Sequence, residues 1–481
     1  MKQCILISFL FIWLVAIPAR PQQWSEPVLI TSNSGNGYPD LAVDQAGTLW
    51  CVWAHRINDF YWKIYIAHSS DHGETWTGYT DVSRNSEHWV SNPHIAIDTN
   101  NHIHVTYDHF VEDYTKTAIH YTMFNGVEWS QPVSLSDGMP GSDYNLVVTD
   151  QTNKVYCFWD YGTIRYREKT GNQWGPVITP YALSPDFYYL SQVIVDKNSD
   201  LHCAGLHRYS GQVTGRSRYV YWKVVSNHWD DFVELSDTTG IARKGLALRT
   251  DGKIAFTWMQ RGTSMTVSQW ATVYAEQTTM GISNKTIIST DSRDPTLTID
   301  KNDNLYIVLN EGSPEGGNVL VSHFKTENDW VKEVIETNFH GYYGNQLLCH
   351  DPFVYLIATK MTENQYPLGD VQFRKIKTIQ GIENIFGKTD IEVFPNPSGH
   401  LFYLIGHFSM DAVTSIRLYN NLGVDLSAQI DLTITYSPSE SGYYIISYDG
   451  SKIRDGVYIL AINIKGTRYI RRLCILSNYS L

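Results

Sequence analysis

The chain has 481 residues, with 37 Lys and Arg against 49 Asp and Glu, so its formal net charge is −12. This acidic balance argues against nucleic acid as the main partner, because phosphate binding requires clustered positive charge. Hydrophobic residues make up 43% of the chain and aromatic residues 13%. That content is too apolar for a disordered chain and too dispersed for a protein with many membrane spans.

Residues 1–19 have the features of a secretory signal peptide. Lys2 supplies a positive start, the segment from Cys4 to Ile17 is almost continuously apolar, and Pro18-Ala19 offers a small-residue cleavage point. The apolar run is shorter than the roughly 20 residues that a membrane-spanning helix needs, which makes an uncleaved anchor the weaker alternative. No later segment could span a bilayer as a helix, so we expect a mature chain without a transmembrane segment.

A repeat dominates the next 360 or so residues of the sequence. An apolar run that ends in Asp recurs at intervals of 54, 52, 46, 55, 49 and 51 residues, and the marker residues are Asp44, Asp98, Asp150, Asp196, Asp251, Asp300 and Asp351. After each marker come turn residues, a second apolar run, a third run with Tyr, His or Phe, and in most units a fourth run marked by Trp. Four short strands in about fifty residues are typical of a β-propeller blade.

The last repeat lacks its fourth strand, because no Trp-led run follows the third run at 371–376. A segment with the fourth-strand pattern, 23–30, instead precedes the first repeat. If this N-terminal strand completes the last blade, no sheet edge is left unpaired between the first and last blades. The sequence therefore predicts an all-β fold, a seven-bladed β-propeller over residues 22–380 closed by an N-terminal strand.

No cofactor or metal is expected from the residue patterns. Removal of the signal peptide leaves five cysteines, each inside an apolar strand-like run, which favours buried free thiols over disulfides, and no CxxC pair indicates zinc. The Asp-x-Asn-x-Asp/Asn strings at 196–200 and 300–304 lack the glycine and distant Glu of a calcium loop, so we interpret them as hairpin turns.

After a linker at 381–390, residues 391–481 have a different composition and predict a small antiparallel β-sandwich. They contain a Pro-Asn-Pro motif at 395–397, a Tyr-Asn-Asn-Leu-Gly turn at 419–423 and a Gly-Val-Tyr strand at 456–458, in that order. This segment resembles the C-terminal sorting domain of type IX secretion in Bacteroidetes-like bacteria, with Arg-Leu in place of the usual terminal Lys-Leu. The resemblance implies passage across the outer membrane through the type IX machinery, followed by release or attachment at the cell surface.

The segment Ser69-Ser70-Asp71-His72-Gly73-Glu74-Thr75-Trp76 matches S-x-D-x-G-x-T-W. It resembles the Asp-box of sialidase-like propellers. Its chemistry is that of a turn, since Asp and Ser side chains satisfy turn amides and Gly takes a positive φ, so we expect a structural role for Asp71. The chain departs from the sialidases at 37–41, where their Arg-Ile-Pro motif is replaced by a segment without arginine.

One propeller face is built from the loops that join the second strand to the third and each blade to the next, and these loops are rich in His, Arg and Tyr. Arg56, Arg208 and Arg261 fall at the same structural position in three repeats, and guanidinium groups suit carboxylate or sulfate. Aromatic neighbours could stack on sugar rings. The predicted substrate-binding residues are Arg56, Trp89, His207, Arg243, Arg261 and Tyr188.

This face also resembles that of the seven-bladed polysaccharide lyases that act on sulfated, uronate-containing algal glycans. In that family a His near the start of a blade's first strand and a His after its second strand flank the substrate, and His88 and His109 hold comparable places here, although Phe110 replaces the family's usual second His of the pair. The resemblance implies β-elimination: Arg208 or Arg261 neutralises the uronate carboxylate, His109 or Tyr189 removes the C5 proton, and His88 or a Tyr assists the leaving oxygen. The predicted catalytic residues are His88, His109, Tyr189 and Arg208.

Two alternatives remain open at this point. A hydrolase would use a pair of carboxylates, and the candidates are Asp108, Asp143, Asp160 and Glu311, of which no spacing selects a pair. A non-catalytic propeller that binds an extracellular glycan or a protein at the cell surface would use the same loops, because a fold does not determine function.

Overall fold

The computed structural model divides into two compact units, residues 1–379 and 380–481. In the first unit it describes residues 24–31, 35–58, 61–84, 88–111, 116–136, 143–182, 184–210, 217–242, 244–261, 270–279, 281–312, 319–325, 330–341, 344–361 and 368–378, and in the second unit seven strands and residue 426. The predicted signal peptide, the predicted linker and Arg243 lie outside the described residues.

The protein is all-β, and none of the described residues is helical. Accordingly, the described part of the chain contains no helix with the length and apolarity needed to cross a membrane. The strands of the first unit are β1 (Val28–Leu29), β2 (Asn36–Val43), β3 (Leu49–Asn58), β4 (Tyr61–Ser69), β5 (Thr80–Asp81), β6 (Val90–Ile97), β7 (Ile103–Val111), β8 (Lys116–Phe124), β9 (Val133–Ser134), β10 (Asp143–Thr149), β11 (Val155–Asp160), β12 (Ile164–Thr170), β13 (Gln173–Trp174), β14 (Phe187–Val195), β15 (Leu201–Arg208), β16 (Ser217–Val225), β17 (His228–Trp229), β18 (Val233–Glu234), β19 (Gly240–Ile241), β20 (Leu246–Leu248), β21 (Ile254–Arg261), β22 (Trp270–Thr278), β23 (Gly281–Ile282), β24 (Thr286–Ser289), β25 (Ser292–Ile299), β26 (Leu305–Glu311), β27 (Val319–Lys325), β28 (Trp330–Glu336), β29 (Gln346–His350), β30 (Phe353–Met361) and β31 (Gly369–Lys377).

These strands form antiparallel sheets that follow one another along the chain. The orders are β6-β7-β8-β9, β10-β11-β12-β13, β14-β15-β16-β17 with β18 on β16, β19-β21-β22-β23 with β20 on β21 and β24 on β22, and β25-β26-β27-β28. An eight-stranded sheet joins the two ends of the unit in the order β29-β30-β31-β2-β3-β4-β5, with β1 also paired to β31. The predicted four-strand repeat is therefore present.

The second unit contains two further antiparallel sheets. Its strands are β32 (Glu392–Phe394), β33 (Leu401–Ile405), β34 (Val413–Tyr419), β35 (Leu432–Tyr436), β36 (Tyr443–Tyr448), β37 (Gly456–Ile464) and β38 (Thr467–Ile475). One sheet has the order β32-β33-β36-β35 and the other β34-β37-β38. The Gly-Val-Tyr segment singled out in the sequence begins β37, and Tyr458 in it is buried.

The hairpin between the first and second strands is set by the marker Asp in five of the repeats. Asp98 Oδ1 accepts hydrogen bonds from the backbone N–H groups of Asn100 and His102, at 2.9 and 2.8 Å, and Asn101 takes a left-handed φ of 60°. Equivalent bonds form at Asp44, Asp150, Asp196 and Asp300. The strings at 196–200 and 300–304 are thus hairpin turns, as expected.

The fifth repeat departs from this pattern. Its hairpin closes between the N–H of Arg249 and the C=O of Lys253, as the N–H of Asp44 bonds to the C=O of Thr48 in the first repeat. The residue equivalent to the marker is therefore Arg249, and Asp251 lies two residues beyond it. This offset corrects the spacing that the sequence predicts around the fifth repeat.

The hydrophobic core is divided into clusters that each draw on two consecutive repeats. One cluster combines Val52 and Ile64 of the first repeat with Val90 and Val105 of the second. Another combines Trp53 of the first repeat with residues of the last, including Tyr355 and Phe373. The cysteines of these strands are free thiols, buried at Cys51, Cys157 and Cys203 and half-buried at Cys349. Each sheet is thus stabilised by packing face to face on its neighbours.

Side chains near the start of the first strands hold successive repeats together. The side chain of Gln346 bonds to both backbone groups of Leu41, accepting from its N–H at 2.8 Å and donating to its C=O at 3.0 Å. Gln192 binds Leu246 in the same way. Asp40 accepts from the N–H of Ile95 at 3.1 Å, and Thr296 accepts from the N–H of Leu347 at 3.2 Å. We call these four residues, Asp40, Gln192, Thr296 and Gln346, the inter-repeat clamps.

The N-terminal strand pairs with the last repeat, as the sequence predicts. In β1, Val28 lies opposite Phe373 and Leu29 opposite Gln372 of β31. The indole of Trp24 is buried and donates to Ser322 Oγ at 3.1 Å. This segment therefore occupies the outer position that the last repeat lacks.

The Asp-box is a structural turn between the first and last repeats. Asp71 Oδ1 accepts from the N–H of Thr75 at 3.0 Å, and Ser69 Oγ accepts from the N–H of Gly73 at 2.8 Å. Gly73 has a left-handed φ of 83°, and Trp76 packs edge-on against Phe373 with ring centroids 5.4 Å apart. The hydrogen bonds from Thr75 and Ser69 hold the pKa of Asp71 below its usual range. All five fixed positions of the box thus serve the turn or its packing, as expected.

We expect the substitution Gly73→Ala to destabilise the first unit by about 2–5 kcal/mol, since the new Cβ combines left-handed strain with overpacking. That Cβ would lie 2.0 Å from Phe373 Cε1. Gly126→Ala is the matched control, because Gly126 also has a left-handed φ, 93°, but no atom lies within 4 Å of the added Cβ. Urea unfolding measures both. Equal losses of stability in the two variants would contradict the packing of the Asp-box on Phe373.

Candidate functional site

A β-bulge lies near the start of the first strands. The register shifts between Gly37 and Asp40 in β2, and between Ser91 and His94 in β6. Shifts at the same place occur in β10, β14 and β25. Tyr38, Asn92 and Asp294 take left-handed φ values of 54°, 47° and 48° at these bulges. A bulge turns the following side chain out of the normal alternation, and here it turns backbone and side chains toward a shared cavity.

That cavity has a volume of about 500 Å³. Six repeats each contribute one residue of the same structural position to its wall. This is the residue just before the inter-repeat clamp, or before the equivalent residue in repeats without a clamp: Pro39, Pro93, Asn145, Ser191, Lys244 and Asn345. The other polar or aromatic groups on its wall are Tyr38, Asn92, His94, Tyr189, Arg208, Ser217 and Gln346. A pocket of this size with convergent polar groups has the dimensions of a small-ligand or sugar site.

A charged cluster braces the cavity wall. Lys244, which stands where other repeats have Pro39 or Pro93, forms an ion pair with the buried carboxylate of Asp40. His94 Nδ1 lies 3.0 Å from Asp40 Oδ2. Burial alone would raise the pKa of Asp40, but Lys244 and His94 outweigh it and hold that pKa below its usual range. The negative charge of Asp40 is therefore compensated, and Arg208 adds a further positive charge to the wall.

A second buried carboxylate positions two amides of the wall. Asp108 accepts from Asn92 Nδ2 and Asn145 Nδ2, each at 2.7 Å, and Asn145 Nδ2 also lies 2.8 Å from the C=O of Asn92. Asp160 likewise accepts from the N–H of Leu190 at 3.2 Å. Both residues are 1% exposed, and each carboxylate is hydrogen-bonded to the next repeat. We call Asp108 and Asp160 the brackets.

Strand alternation sorts the predicted residues of β14 and β15 into two groups. Tyr189 and Arg208 line the cavity. Tyr188 and His207 lie opposite each other on the other face, 5% and 1% exposed, with rings stacked at 4.8 Å. His207 Nε2 lies 2.9 Å from Asp186 Oδ2. The two-residue period of the strand thus turns Tyr188 and His207 into the core, and their role in substrate binding stays a prediction.

His88 and His109 do come together, but away from the cavity lining. Their rings are 5.3 Å apart and perpendicular, and His109 stacks on His120 at 4.2 Å. Burial, reinforced by the charges that His120 and His88 would carry, lowers the pKa of His109 to about 4. Burial also lowers the pKa of His120 to about 4. His109 is therefore neutral at pH 7 and able to accept a proton.

The remaining predicted binding residues are dispersed. Trp89 is half-buried and stacks on Trp62 at 5.1 Å beside the core between the first two repeats, and its role in substrate binding stays a prediction. The strand register puts Arg56, Arg208 and Arg261 at equivalent ends of β3, β15 and β21, as expected. Only Arg208 of these three lines the cavity, and Arg261 packs over the ring of Trp270 at 5.5 Å. Arg243 lies outside the described residues.

The carboxylates proposed for a hydrolase are already engaged. Asp108 and Asp160 are the brackets described above, and Glu311 forms an ion pair with Lys332 and lies 3.7 Å from His323 Nε2. The side chain of Asp143 lies outside the described residues. Within the described ranges, no group of three or more His, Cys, Asp or Glu side chains is arranged to hold a metal ion.

His94, Asn92, Asn145 and Lys244 are not among the site residues predicted from the sequence. They occupy the positions just at or before the clamp, four to six residues ahead of the hairpin marker or its equivalent. An alignment of the repeats on the clamp would have drawn attention to them, since the residue just before the clamp is Pro in some repeats and Asn, Ser or Lys in others. The loops drew attention instead because they hold more His and Arg.

No family model and no curated protein matches the chain. Among solved structures, a protein of unknown function from Dyadobacter fermentans matches with a TM-score of 0.50 and 9% identity, covering 74% of this chain and 99% of the other. A polysaccharide lyase described as an ulvan lyase matches with a TM-score of 0.50 and 10% identity, covering 73% and 96%. A Trypanosoma rangeli sialidase matches with a TM-score of 0.43 and 10% identity, covering 94% and 88%. The first two similarities show the fold alone: the chain has the propeller-like all-β fold of these proteins.

The two buried histidines predict a loss of stability in mild acid. With folded pKa values of about 4, against 6.5 for a free histidine, His109 and His120 bind fewer protons than the unfolded chain does between these pH values. Stability is therefore intact above pH 6.5 and falls as the pH drops toward 4. Burial lowers the pKa of His104 and His202 as well, which adds to the same trend.

Urea unfolding at pH 7.5 and pH 5 measures this effect. We expect the wild-type midpoint to be lower at pH 5, and His120→Phe to reduce the difference while keeping an aromatic ring against His109. His228→Gln, a change at an exposed histidine, is the control and should leave the difference unchanged. An equal pH dependence in His120→Phe and wild type would contradict the lowered pKa of His120.

Proposed function

We propose that residues 22–380 form a seven-bladed propeller and that residues 391–481 form a β-sandwich that directs type IX secretion. Seven hydrophobic clusters among the described residues, each between consecutive repeats, support the blade count. One of these clusters, which contains Trp53 and Tyr355, joins the last repeat to the first. At the same junction the side chain of Gln346 binds the backbone of Leu41. The sequence motifs at 1–19 and 391–481 support export and a secreted or outer-surface location.

We propose that this propeller binds an extracellular anionic glycan in the central cavity and cleaves it by β-elimination. The observation that carries the proposal is the wall formed by Tyr189 and Arg208, which share one cavity with His94 and Lys244. A guanidinium and an ammonium group suit a uronate carboxylate or a sulfate. Amides and a tyrosine beside them provide the hydrogen bonds that orient a sugar.

In this mechanism Arg208 binds the uronate carboxylate and stabilises the negative charge that develops when the C5 proton leaves. Tyr189 is the proton-transfer group in reach of the cavity, and the neutral His109 is the alternative base. The C5–H electron pair forms the C4–C5 double bond, the C4–O bond breaks, and the departing oxygen takes up a proton. The product is a shortened chain and an unsaturated uronate.

A non-catalytic role is the second candidate. It is favoured by the separation of the predicted catalytic residues into two groups, since Tyr189 and Arg208 line the cavity whereas His88 and His109 do not. In that case the cavity binds an anionic glycan without cleaving it. Binding and cleavage assays on the same samples separate the two candidates.

We expect the mature protein to produce the ultraviolet absorbance of an unsaturated uronate on at least one member of a panel that includes alginate, hyaluronan, chondroitin sulfate and the polymer of glucuronate and sulfated rhamnose. Arg208→Ala should lower kcat/KM by about 10²–10³ and Tyr189→Phe by about 10²–10⁴, because each removes a group that acts in the transition state. Arg249→Ala is the matched control, since Arg249 is ion-paired with Glu276 and Asp303 outside the cavity.

A loss in His109→Ala with full activity in Tyr189→Phe would transfer the role of base to His109. Retention of the glycan without new absorbance would favour the binding role. Neither absorbance nor retention with any polymer of the panel would contradict the proposed glycan site.

A further inference from the structure

An exposed aromatic ring lies beside the cavity without a role in the function proposed above. Phe187 is 45% exposed, although most large apolar side chains of the first strands are buried. It lies on the same face of β14 as Tyr189, two residues closer to the loop end, because no bulge interrupts the strand between them. Its partner across β15 is Arg208. Phe187 therefore continues the cavity wall that Tyr189 and Arg208 begin.

The backbone of the preceding repeat supports this ring from one side. Gly162, with a left-handed φ of 73°, sits so close that a Cβ added there would lie 3.1 Å from Phe187 Cδ1. The N–H of Tyr188 donates to the C=O of Gly162 at 3.1 Å, which fixes the start of β14 against this turn. The ring is thus held against a glycine on one face and is open to solvent on the remainder. Tyr161 of the same turn is 55% exposed.

An aromatic ring beside an arginine is the pairing that recurs in binding sites. The C–H groups on one face of a pyranose ring are apolar and pack flat on such a ring, while Arg208 attracts the acidic group of the adjoining sugar. A single sugar in the cavity would leave Phe187 in water, whereas a longer chain leaving the cavity along β14 would cover it.

We propose that Phe187 is a stacking subsite for the sugar next to the one held in the cavity, so that the site recognises an oligosaccharide segment of the anionic glycan rather than a single terminal sugar. This inference rests on the proposed glycan site. Arg208 then serves two neighbouring positions, the acidic group in the cavity and the sugar on Phe187.

Isothermal titration of the mature protein with glucuronate alone, and with a disaccharide and a hexasaccharide of glucuronate and sulfated rhamnose, tests the subsite. We expect the two chains to bind wild type more tightly than the single sugar. Phe187→Ala should weaken the binding of the two chains about two- to tenfold, the range of an aromatic contact, and leave the affinity for glucuronate unchanged. Phe187→Trp should retain their affinity and Phe187→Leu should not, which separates ring stacking from general apolar contact.

Val127→Ala is the surface control, because Val127 is 87% exposed on another repeat, and thermal unfolding of each variant checks the fold. Equal affinities of Phe187→Ala and wild type for the hexasaccharide would overturn the subsite and leave the cavity site standing. The same holds if wild type binds glucuronate and the two chains with equal affinity. If wild type binds none of the three ligands, the subsite falls, and the cavity site falls with it when no polymer of the panel above is bound either.

Discussion

The structure of the first unit depends on one kind of hydrogen bond, in which a side chain of one repeat binds the backbone of the next. Gln346 and Gln192 bind both backbone groups of their partner residues, as a neighbouring strand would. Asp40 and Thr296 accept from one N–H each. Because buried backbone groups must be paired, these clamps allow the first strands to lie side by side without forming a sheet with one another.

The same positions create the cavity. A bulge interrupts the strand before the clamps Asp40, Gln192 and Thr296. In six repeats the residue at this place lines the cavity, and its identity varies from repeat to repeat. Proline suffices in the first two repeats, whereas the fifth has Lys244, whose charge is matched by Asp40. Structural bonds and binding chemistry thus occupy adjacent residues, and variation at a single position changes the wall without changing the fold.

The repeat, the hairpin turns and the Asp-box were predictable from the sequence, because each depends on local turn chemistry or a two-residue period. The pairing of the N-terminal strand was predictable because the last repeat lacks a fourth strand and the segment 23–30 has the pattern of one. The site was predictable only in part. Tyr189 and Arg208 were found, but Tyr188 and His207 are their direct neighbours and lie on the opposite face. Loop composition does not reveal which face of a strand a residue occupies. The bulges determine which side chains face the cavity, and they are hard to recognise in the sequence because non-glycine residues such as Asn92 take the left-handed φ there. Lys244 was not among the predicted site residues, because its partner Asp40 is 204 residues away.

The joint between the two ends of the first unit has a consequence for biosynthesis. Gln346 and Leu41 are 305 residues apart, and Val371 donates to Thr31 across 340 residues. Contacts of such high sequence separation form late, because the chain between them must be ordered first. While the chain is being made, β1 lacks its partner until β31 has been synthesised, and loss of the N-terminal strand would leave the edge of β31 unpaired. Unpaired strand edges recruit other chains. The N-terminal strand therefore acts as a latch that hides this edge only once the whole repeat array is complete.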